Sequence, residues 1–505
     1  MSGVAQPEQG RGGRLTMGQR RALIAVLLFT FLVRLFTLGA YPLADTTEAR
    51  YAEMARKMAE TGNWVTPQED YGVPFWAKPP LSTWATAVCY KLFGVSEFTA
   101  RLSSLLLALL FAWLTWLLAR RQQGRDHALL GAVILATTAL TFITAGAVMT
   151  DGAVALSTTL CMVAFWFAMT GQGRIWGYLF FAGLGLGLLS KGLVPIVLTL
   201  FPIAIWVAWK KQWHALWTRL PWVGGTLVAL AVAVPWYALA EIRTPGFLNY
   251  FFIGEHLGKF TNTGWSGDKY GTAHGTHRGM IWIYWLASDL PWSLAAVAVL
   301  LRRKLRPRPE DPSFPHGSWP AYLLSWTMAP MLFFTLAGNI MLTYVMPGVP
   351  AFALLLAEGL LAPSGMQERK AIAKRSWNVL VTLAAVVPAF FLVIILTVGP
   401  RLVGDRSQKA TVAKFEQLRT DPASRLIYFF YKYHSAKYYT RGKTIEVNLL
   451  TIRPYLNDGV QDFIAVRHGN IAVLPKEILD RLEPVWQDKE VVLYRERMGP
   501  PAGHG

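Results

Sequence analysis

The sequence predicts an α-helical multi-pass membrane protein, with about 11 to 13 transmembrane helices and a small soluble α/β domain at its C-terminal end. Hydrophobic residues make up 53% of the 505-residue chain and charged residues only 16%, against about 25% charged in soluble proteins. The apolar residues form long blocks with basic clusters at their edges, as in the cytoplasmic loops of membrane proteins. This composition excludes disordered, collagen-like and coiled-coil proteins. The net charge of +19 is therefore attributed to membrane topology, and we expect no nucleic-acid partner.

About eleven apolar blocks have the length of a membrane span, which needs about 20 residues. They are 22–40, 101–119, 128–148, 152–170, 175–190, 192–209, 221–240, 280–301, 318–337, 341–361 and 377–399. Placing every basic cluster on the cytoplasmic side puts the N-terminus inside and the C-terminus outside. One more apolar piece, 80–96, would put Arg120 and Arg121 on the wrong side as a simple crossing. We expect a juxtamembrane or re-entrant helix there. The alternative is a true span with another long segment split in two.

This topology divides the chain into three parts. We expect a cytoplasmic tail at 1–21, a transmembrane domain at 22–400 and a periplasmic α/β domain at 401–505. The transmembrane domain carries two long outward loops, 41–100 and 241–279. Strand-like runs in the last part are Leu426–Phe430, Thr444–Asn448, Asp462–Arg467 and Val491–Arg495, with helical stretches such as Pro475–Leu482 between them.

The first outward loop holds the densest set of ionisable residues near the membrane. Asp45 and Glu48 are three residues apart, so they share a face if a helix begins here. The pair is also a capping-box variant, and an N-cap is the structural alternative for Asp45. Lys78 precedes Pro79 and Pro80, which hold the backbone extended before a helix start. A lysine so placed is suited to bind a phosphate, or else it snorkels to the membrane surface.

Three further positions at the outer side are candidates. Asp151 lies between two apolar spans, where it is either a second functional carboxylate or a helix cap. Lys191 occupies an outward turn against the general charge bias, so we expect an acid, a lipid phosphate or the substrate beside it. Tyr344 begins a span at the outer interface, a common place for tyrosine.

The loop 241–279 supplies basic residues and histidines. Lys259 and Arg278 are placed to converge with Lys78 on one phosphate, although loose helix-end cations are the alternative. Glu255 and His256 are adjacent and point apart on a helix, which makes them a poor metal pair. His274 and His277 share a face and would need a third metal ligand from elsewhere.

In combination these motifs resemble bacterial lipid A aminoarabinose transferases. More broadly, the chain is similar to the integral-membrane glycosyltransferases of the GT-C fold, which use a polyprenyl-phosphate sugar and include the protein O-mannosyltransferases. The shared motifs, within residues 20–350, are Asp45-Thr-Thr-Glu48-Ala-Arg-Tyr-Ala-Glu, Lys78-Pro-Pro, Asp151, Lys191-Gly, Tyr250-Phe-Phe, Glu255-His256, Lys259-Phe260, Leu332-Phe-Phe and Tyr344.

The resemblance implies roles for several residues. Acids corresponding to Asp45, Glu48 and Asp151 flank the reaction centre of the family. Lys78, Arg278 and Tyr344 correspond to contacts of the carrier phosphate, and His256 to a metal-site histidine, so a divalent metal ion is a possible cofactor. The sequence departs from the family at Thr47, where an acid usually precedes the glutamate, and at Ala77, where an acid often precedes the lysine.

We therefore expect a sugar transfer at the periplasmic face of the bacterial inner membrane. The donor is an undecaprenyl-phosphate-linked aminoarabinose or a similar aminosugar or pentose, and the acceptor is lipid A or a related envelope glycolipid. Membrane lipids are the remaining partners, and the resemblance implies inversion in one displacement. One alternative is a protein O-glycosyltransferase that uses a polyprenyl-phosphate sugar. Another is a transporter or flippase for lipid-linked sugars, which would show repeats or broken helices in matching halves.

Overall fold

The computed structural model describes residues 15–258, 267–271, 275–305, 318–361, 374–456 and 458–497. Helices dominate as far as residue 418, and a five-stranded sheet with short helices follows. The predicted fold class, a helical membrane protein with a small C-terminal α/β part, is therefore confirmed.

Short loops join the helices of the first half of the chain. These helices are α1 Met17–Thr37, α2 Thr47–Thr61, α3 Leu81–Phe93, α4 Glu97–Gln122, α5 Arg125–Thr137, α6 Ala139–Thr144, α7 Asp151–Met169, α8 Arg174–Lys191, α9 Leu193–Lys210, α10 Trp213–Arg219 and α11 Trp222–Arg243. A small hairpin, β1 Gln68–Asp70 and β2 Val73–Pro74, lies between α2 and α3. Capping boxes at Thr16 and Ser96 satisfy the first backbone N–H groups of α1 and α4.

The second half begins with a short helix and a π-helix and continues with further apolar helices. Their bounds are Phe247–Asn249, Tyr250–Gly258 (π), Met280–Ser288, Trp292–Leu305, Ser318–Phe334, Leu342–Gly348 (3-10), Val349–Leu361, Lys374–Thr397, Gly399–Gly404 and Lys409–Leu418. Within the described chain, six helical segments are long and apolar enough to cross a membrane. A seventh is the pair Met280–Ser288 and Trp292–Leu301, if its two parts, bent by 102°, are one span.

The outer surface of the bundle is apolar. On α1, Leu28, Leu32 and Phe36 are 57%, 59% and 65% exposed, and Val223 on α11 is 79% exposed. Soluble proteins rarely expose contiguous apolar surface of this kind. Lipid is therefore the environment that this surface fits.

Each predicted span is helical over most of its length, but three of them are interrupted. The segment 128–148 breaks at Thr138, whose backbone is extended between α5 and α6. The segment 280–301 turns sharply just before Pro291, which lacks the N–H that would continue the helix. The segment 341–361 starts with a 3-10 turn that contains Pro347.

The apolar piece 80–96 forms helix α3, which has 13 residues. At 1.5 Å per residue α3 is about 20 Å long, shorter than the roughly 30 Å of a hydrocarbon core. It packs between α2 and α4, and Ala87 and Tyr90 join a buried cluster with residues of both neighbours. This geometry agrees with the expected juxtamembrane or re-entrant helix.

The C-terminal sheet has the strand order β4-β3-β5-β7-β6. Its strands are β3 Leu426–Phe429, β4 Ile445–Val447, β5 Phe463–Arg467, β6 Leu482–Gln487 and β7 Val491–Glu496. Strand β3 pairs in parallel with β4 and β5, whereas β7 pairs antiparallel with β5 and β6. The 3-10 turns Arg453–Leu456 and His468–Val473 and the helices His434–Tyr439 and Lys476–Leu479 lie between the strands.

All four predicted strands are present, and the structure adds β6. We predicted a helix over Pro475–Leu482, but the helix is only Lys476–Leu479 and the chain becomes β6 at Leu482. The proline in β6, Pro484, is tolerated because β6 is an edge strand.

The helix His434–Tyr439 joins the C-terminal part to the first loop. It packs against α2, and Tyr438 lies in the same buried cluster as Ala52 and Tyr90. Lys437 pairs with Asp70 of β1. The C-terminal part therefore packs against the loop that carries Asp45, Glu48 and Lys78.

Candidate active site

The carboxylate of Glu48 is held by a buried arginine. Arg101 donates from Nε to Oε1 of Glu48 and from Nη2 to Oε2, both at 2.8 Å. The same guanidinium, which is fully buried, donates to the main-chain carbonyls of Leu38 and Pro42. The main-chain N–H of Val148 also donates to Glu48 at 3.3 Å. Glu48 thus ties the first loop to α4 and to the turn before α7, and its oxygens are occupied.

Asp45 lies at the junction with the C-terminal part. Its carboxylate accepts one hydrogen bond from the Ser435 main-chain N–H at 3.0 Å and another from the Ser435 hydroxyl. The predicted capping alternative is not observed, because Thr46 is the N-cap residue of α2. Burial raises the pKa of Asp45 to about 6, although the hydrogen bonds from Ser435 act in the opposite direction. A carboxylate with this pKa exchanges its proton close to neutral pH, as a general base does.

Asp151, Lys191 and Tyr344 come together at the ends of their helices. Lys191 Nζ donates to Asp151 Oδ1 at 2.9 Å, and both side chains are 12% exposed. The same ammonium lies 4.4 Å from the ring centroid of Tyr344. The expected partner of Lys191 is therefore an acid. Asp151 is the first residue of α7 and makes no capping bond there, since the N-cap position belongs to Thr150.

Lys78 forms an ion pair with a glutamate of the loop 241–279. Its Nζ donates to Glu255 Oε2 at 3.0 Å, and the Glu255 side chain is 3% exposed whereas that of Lys78 is 25% exposed. The hydroxyl of Tyr250 donates to the other carboxylate oxygen of Glu255 at 3.3 Å. Lys78 thus keeps an accessible ammonium, anchored by a buried acid.

Tyr51 of α2 lies within electrostatic range of both ion pairs. The charges of Lys191, Asp151 and Glu255 all act on its hydroxyl, and burial raises the pKa of Tyr51 above its ordinary value. The two pairs therefore face the same part of α2. We call these residues the outer cluster: Tyr51, Lys78, Asp151, Lys191, Glu255 and Tyr344.

His256 is engaged by the backbone. Its Nδ1 bonds the carbonyl of Phe251 at 2.9 Å, and its Nε2 accepts from the N–H of Leu193 at 3.1 Å. Burial lowers the pKa of His256, so the ring is neutral. No group of three His, Cys, Asp or Glu residues that could hold a metal ion occurs in the described part of the chain. Because the backbone occupies both ring nitrogens of His256, this histidine does not fit the divalent metal ion that the resemblance implied.

Arg278 and His277 are not in the outer cluster. Arg278 is exposed at the start of the helix Met280–Ser288. Lys259 and His274 lie outside the described residues, and His277 is exposed.

Two residues of the site were missed in the sequence. Arg101 is a single arginine at the start of a predicted apolar span, and nothing in the sequence indicated its role. In the structure it bonds Glu48 and the main-chain carbonyls of Leu38 and Pro42. Arg50 donates to His434 at 3.0 Å and to the carbonyl of Tyr270 at 2.9 Å, and so joins three segments. The signal for Arg50 was its place in the same motif as Glu48.

The fold of this chain is shared with ArnT from Cupriavidus metallidurans. The crystal structure of that protein bound to undecaprenyl phosphate matches with a TM-score of 0.77 and 19% identity, over 94% of this chain and 97% of ArnT. The apo structure matches with a TM-score of 0.75 and 21% identity, over 95% and 98%. The chain is therefore a multi-pass membrane protein of the GT-C fold.

Sequence comparison leads to the same group. The family described as dolichyl-phosphate-mannose-protein mannosyltransferase matches residues 24–251. The undecaprenyl phosphate-alpha-4-amino-4-deoxy-L-arabinose arabinosyl transferase of Erwinia tasmaniensis is 31% identical over 349 residues, covering 68% of this chain and 60% of the relative. A transferase of the same name from Pseudomonas fluorescens is 30% identical over 357 residues, covering 68% and 58%. This chain therefore covers less than two thirds of the length of either relative. The resemblance to this group of transferases, predicted from the motifs, is confirmed.

Proposed function

We propose that this protein transfers a sugar from undecaprenyl phosphate to lipid A or a related envelope glycolipid. The sugar is aminoarabinose or a similar aminosugar or pentose. The observation that carries the proposal is the outer cluster, which contains the ammonium groups of Lys78 and Lys191. The fold around it is shared with ArnT, whose crystal structure contains undecaprenyl phosphate. The names of the two curated relatives support the same donor and sugar.

The proposed reaction is an inverting single displacement. The bond between the sugar C1 and the phosphate oxygen breaks, and a bond from C1 to the acceptor oxygen forms. The electron pair leaves with the carrier phosphate, whose growing charge Lys78 stabilises, because a positioned cation acts most strongly where charge develops. Tyr344 and Arg278 are the further phosphate contacts that we propose, and Lys259 is a third.

Asp45 is the acid that we propose as general base for a hydroxyl acceptor. Its pKa of about 6 suits proton abstraction near neutral pH. Glu48 is unsuited to that step because taking up a proton would break its two-point ion pair with the fully buried guanidinium of Arg101, so we assign Glu48 to positioning. Asp151, held by Lys191, orients the donor. An acceptor that is already an anionic phosphate needs no base, and Asp45 then orients it.

We further propose an orientation in the bacterial inner membrane. The tail 1–21 is cytoplasmic, the domain 22–400 spans the membrane, and the domain 401–505 is periplasmic. The basic clusters at the span edges support this assignment through the positive-inside rule.

A protein O-glycosyltransferase is the second candidate function. The match of residues 24–251 to the protein mannosyltransferase family favours it. Mass spectrometry of lipid A and of periplasmic proteins, from cells with and without the gene, separates the two. We expect a sugar-sized mass to disappear from lipid A. An unchanged lipid A together with a lost protein glycan would replace our first proposal by the second.

The proposed role of Lys78 is tested with purified protein, donor and lipid A. We expect Lys78→Ala to lower the transfer rate at least about hundredfold, since a lost transition-state contact of this kind costs about 3 kcal/mol. Lys91→Ala is the matched control, because Lys91 is exposed on α3. Equal rates for the two variants would remove Lys78 from the phosphate site.

A further inference from the structure

A second feature of the structure shares no lining residue with the outer cluster. It is an open cleft of about 570 Å³ between the first outward loop and the C-terminal domain. Its lining includes Arg50, Trp76, Lys269, Tyr270, Phe430 and Lys432. Three separate parts of the chain therefore build it, and one of them is the loop that follows β3.

The charge of the cleft favours an anionic ligand. Arg50, Lys269 and Lys432 line it, opposed by the carboxylate of Glu69. His434 also lines it but is neutral, because burial and the charge of Arg50 lower its pKa to about 2. Lys432 Nζ lies 3.0 Å from Glu69, and the Lys432 side chain remains 30% exposed. An ammonium oriented by one acid and open on its other side is suited to meet a phosphate or carboxylate.

Aromatic side chains form the rest of the cleft wall. Phe430 is 47% exposed, so its ring is available to a ligand. The ring of Trp76 faces Lys269, whose Nζ lies 4.3 Å from its centroid. Cations interleaved with aromatic faces suit a charged sugar, since a sugar ring presents an apolar face and its substituents carry the charge.

The position of Phe430 in the C-terminal sheet also indicates a ligand site. Phe430 directly follows β3, which pairs in parallel with a strand on each side. Ligands of open α/β sheets bind outside the carboxyl ends of such strands. Phe430 has a φ of 59°, a region that costs a large side chain energy, and its N–H bonds the carbonyl of Val447 at 2.9 Å. Strain of this kind concentrates at functional sites.

We infer that this cleft binds the anionic sugar headgroup of the acceptor, and that Lys432 and Phe430 of the C-terminal domain recognise it. The inference rests on the proposed function and deepens it, because it assigns the choice of acceptor to the C-terminal domain. Lys432 contacts the negative charge, and Phe430 stacks on the sugar ring.

Residues that line the cleft adjoin residues of the proposed chemistry. Thr46 lines the cleft and directly follows Asp45, the proposed base. Lys269, which also lines the cleft, lies 5.2 Å from the ring centroid of Tyr250, whose hydroxyl bonds Glu255, the partner of Lys78. The lining of the cleft is therefore linked to the proposed base through Thr46, and to the lysine proposed for the carrier phosphate through Lys269, Tyr250 and Glu255.

Calorimetry on the full-length protein in detergent tests the binding site without any turnover. The probes are the deacylated, phosphorylated glucosamine disaccharide of lipid A, the same disaccharide after phosphatase treatment, and inorganic phosphate. We expect the wild type to bind the phosphorylated disaccharide about tenfold more tightly than either of the others, as one charged hydrogen bond provides. Equal binding of the two disaccharides, or equal binding of inorganic phosphate and the phosphorylated disaccharide, would overturn the inference.

Two variants and a matched control assign the effect to the named residues. Lys432→Gln is expected to lose the preference for the phosphorylated disaccharide, whereas Lys476→Gln, an exposed lysine elsewhere in the same domain, keeps it. Phe430→Gly removes the ring and relieves the strained backbone. It is therefore expected to weaken binding of both disaccharides while the unfolding temperature stays the same or rises. Wild-type binding in both variants would overturn the assignment.

Transfer kinetics separate this inference from the proposed function. In Lys432→Gln we expect the KM for lipid A to rise about tenfold while the KM for the donor is unchanged. If the wild type shows no transfer, the proposed function is contradicted. The calorimetry then still tests whether the cleft binds the phosphorylated disaccharide. An active Lys432→Gln with an unchanged KM for lipid A contradicts the cleft alone.

Discussion

At the scale of single residues, similar carboxylates in the first loop have different tasks. Glu48 is locked by a fully buried guanidinium, whereas Asp45, three residues earlier, is bound by a serine of the C-terminal domain. Their spacing suggested one shared face. The structure directs them to different partners, because Arg101 and Ser435 approach the loop from opposite parts of the chain.

Breaking the Glu48 pair should destabilise the protein. Glu48→Ala leaves Arg101 buried without its counter-charge, and we expect a loss of about 3 kcal/mol in the free energy of unfolding. Thermal unfolding in detergent measures it. Glu60→Ala is the control, since Glu60 is 52% exposed and its ion pair with Arg56 should contribute no more than about 1 kcal/mol. Equal losses in the two variants would contradict the positioning role of Glu48.

The raised pKa of Asp45 predicts opposite trends for stability and activity. Because the folded-state pKa of about 6 exceeds the ordinary 3.8, Asp45 stabilises the fold below about pH 4 and loses that contribution as the pH rises through 6. Transfer to a hydroxyl acceptor needs the carboxylate, so its rate should rise over the same window. Asp45→Asn should abolish transfer and flatten the stability profile. A pH-independent wild-type rate between 4 and 7 would remove Asp45 as the base.

At the scale of elements, the turn between α8 and α9 sets the position of Lys191. Gly192 follows it with a φ of +66°, which an L side chain rarely adopts. A Cβ at Gly192 would lie 2.6 Å from the ring of His256, the ring that bonds the first N–H of α9. His256 is therefore best understood as a support for this turn.

Substitution of this glycine should affect both fold and function. We expect Gly192→Ala to lower the free energy of unfolding by about 2 kcal/mol or more and to reduce transfer, because the turn must shift and Lys191 moves with it. Gly171→Ala is the matched control: its φ is +75°, but no atom lies within 4 Å of the added Cβ. It should cost only the backbone strain, about 1 kcal/mol. Equal unfolding temperatures for the two variants would contradict the contact with His256.

At the scale of the whole molecule, the C-terminal domain acts on the membrane domain through direct contacts. Ser435 is bonded to Asp45, and Lys437 pairs with Asp70 of the first outward loop. These contacts join residues more than 360 positions apart. The domain therefore contributes to the electrostatics of the proposed base as well as to the acceptor cleft.

This coupling predicts a pH effect of a distant serine. The Ser435 hydroxyl lowers the pKa of Asp45, so Ser435→Ala should move the midpoint of the activity profile above pH 6. Ser424→Ala, a buried serine of the same domain, should leave it unchanged. The measurement is the transfer rate against pH for both variants and the wild type. A midpoint that stays in place in Ser435→Ala would show that the domain does not tune the base.

The amino-acid sequence alone determined the helical membrane class, the position of most helices and four of the five C-terminal strands. Hydrophobic length and alternation are local properties, so they can be read from neighbouring residues. It also identified Lys78 and Asp151 as candidate site residues and Lys191 as a residue in need of a partner. Only the tertiary structure decided the partners themselves, Glu255 for Lys78, Arg101 for Glu48 and Ser435 for Asp45. Such pairs form between segments far apart in the chain, and their geometry depends on how the helices and the C-terminal domain pack.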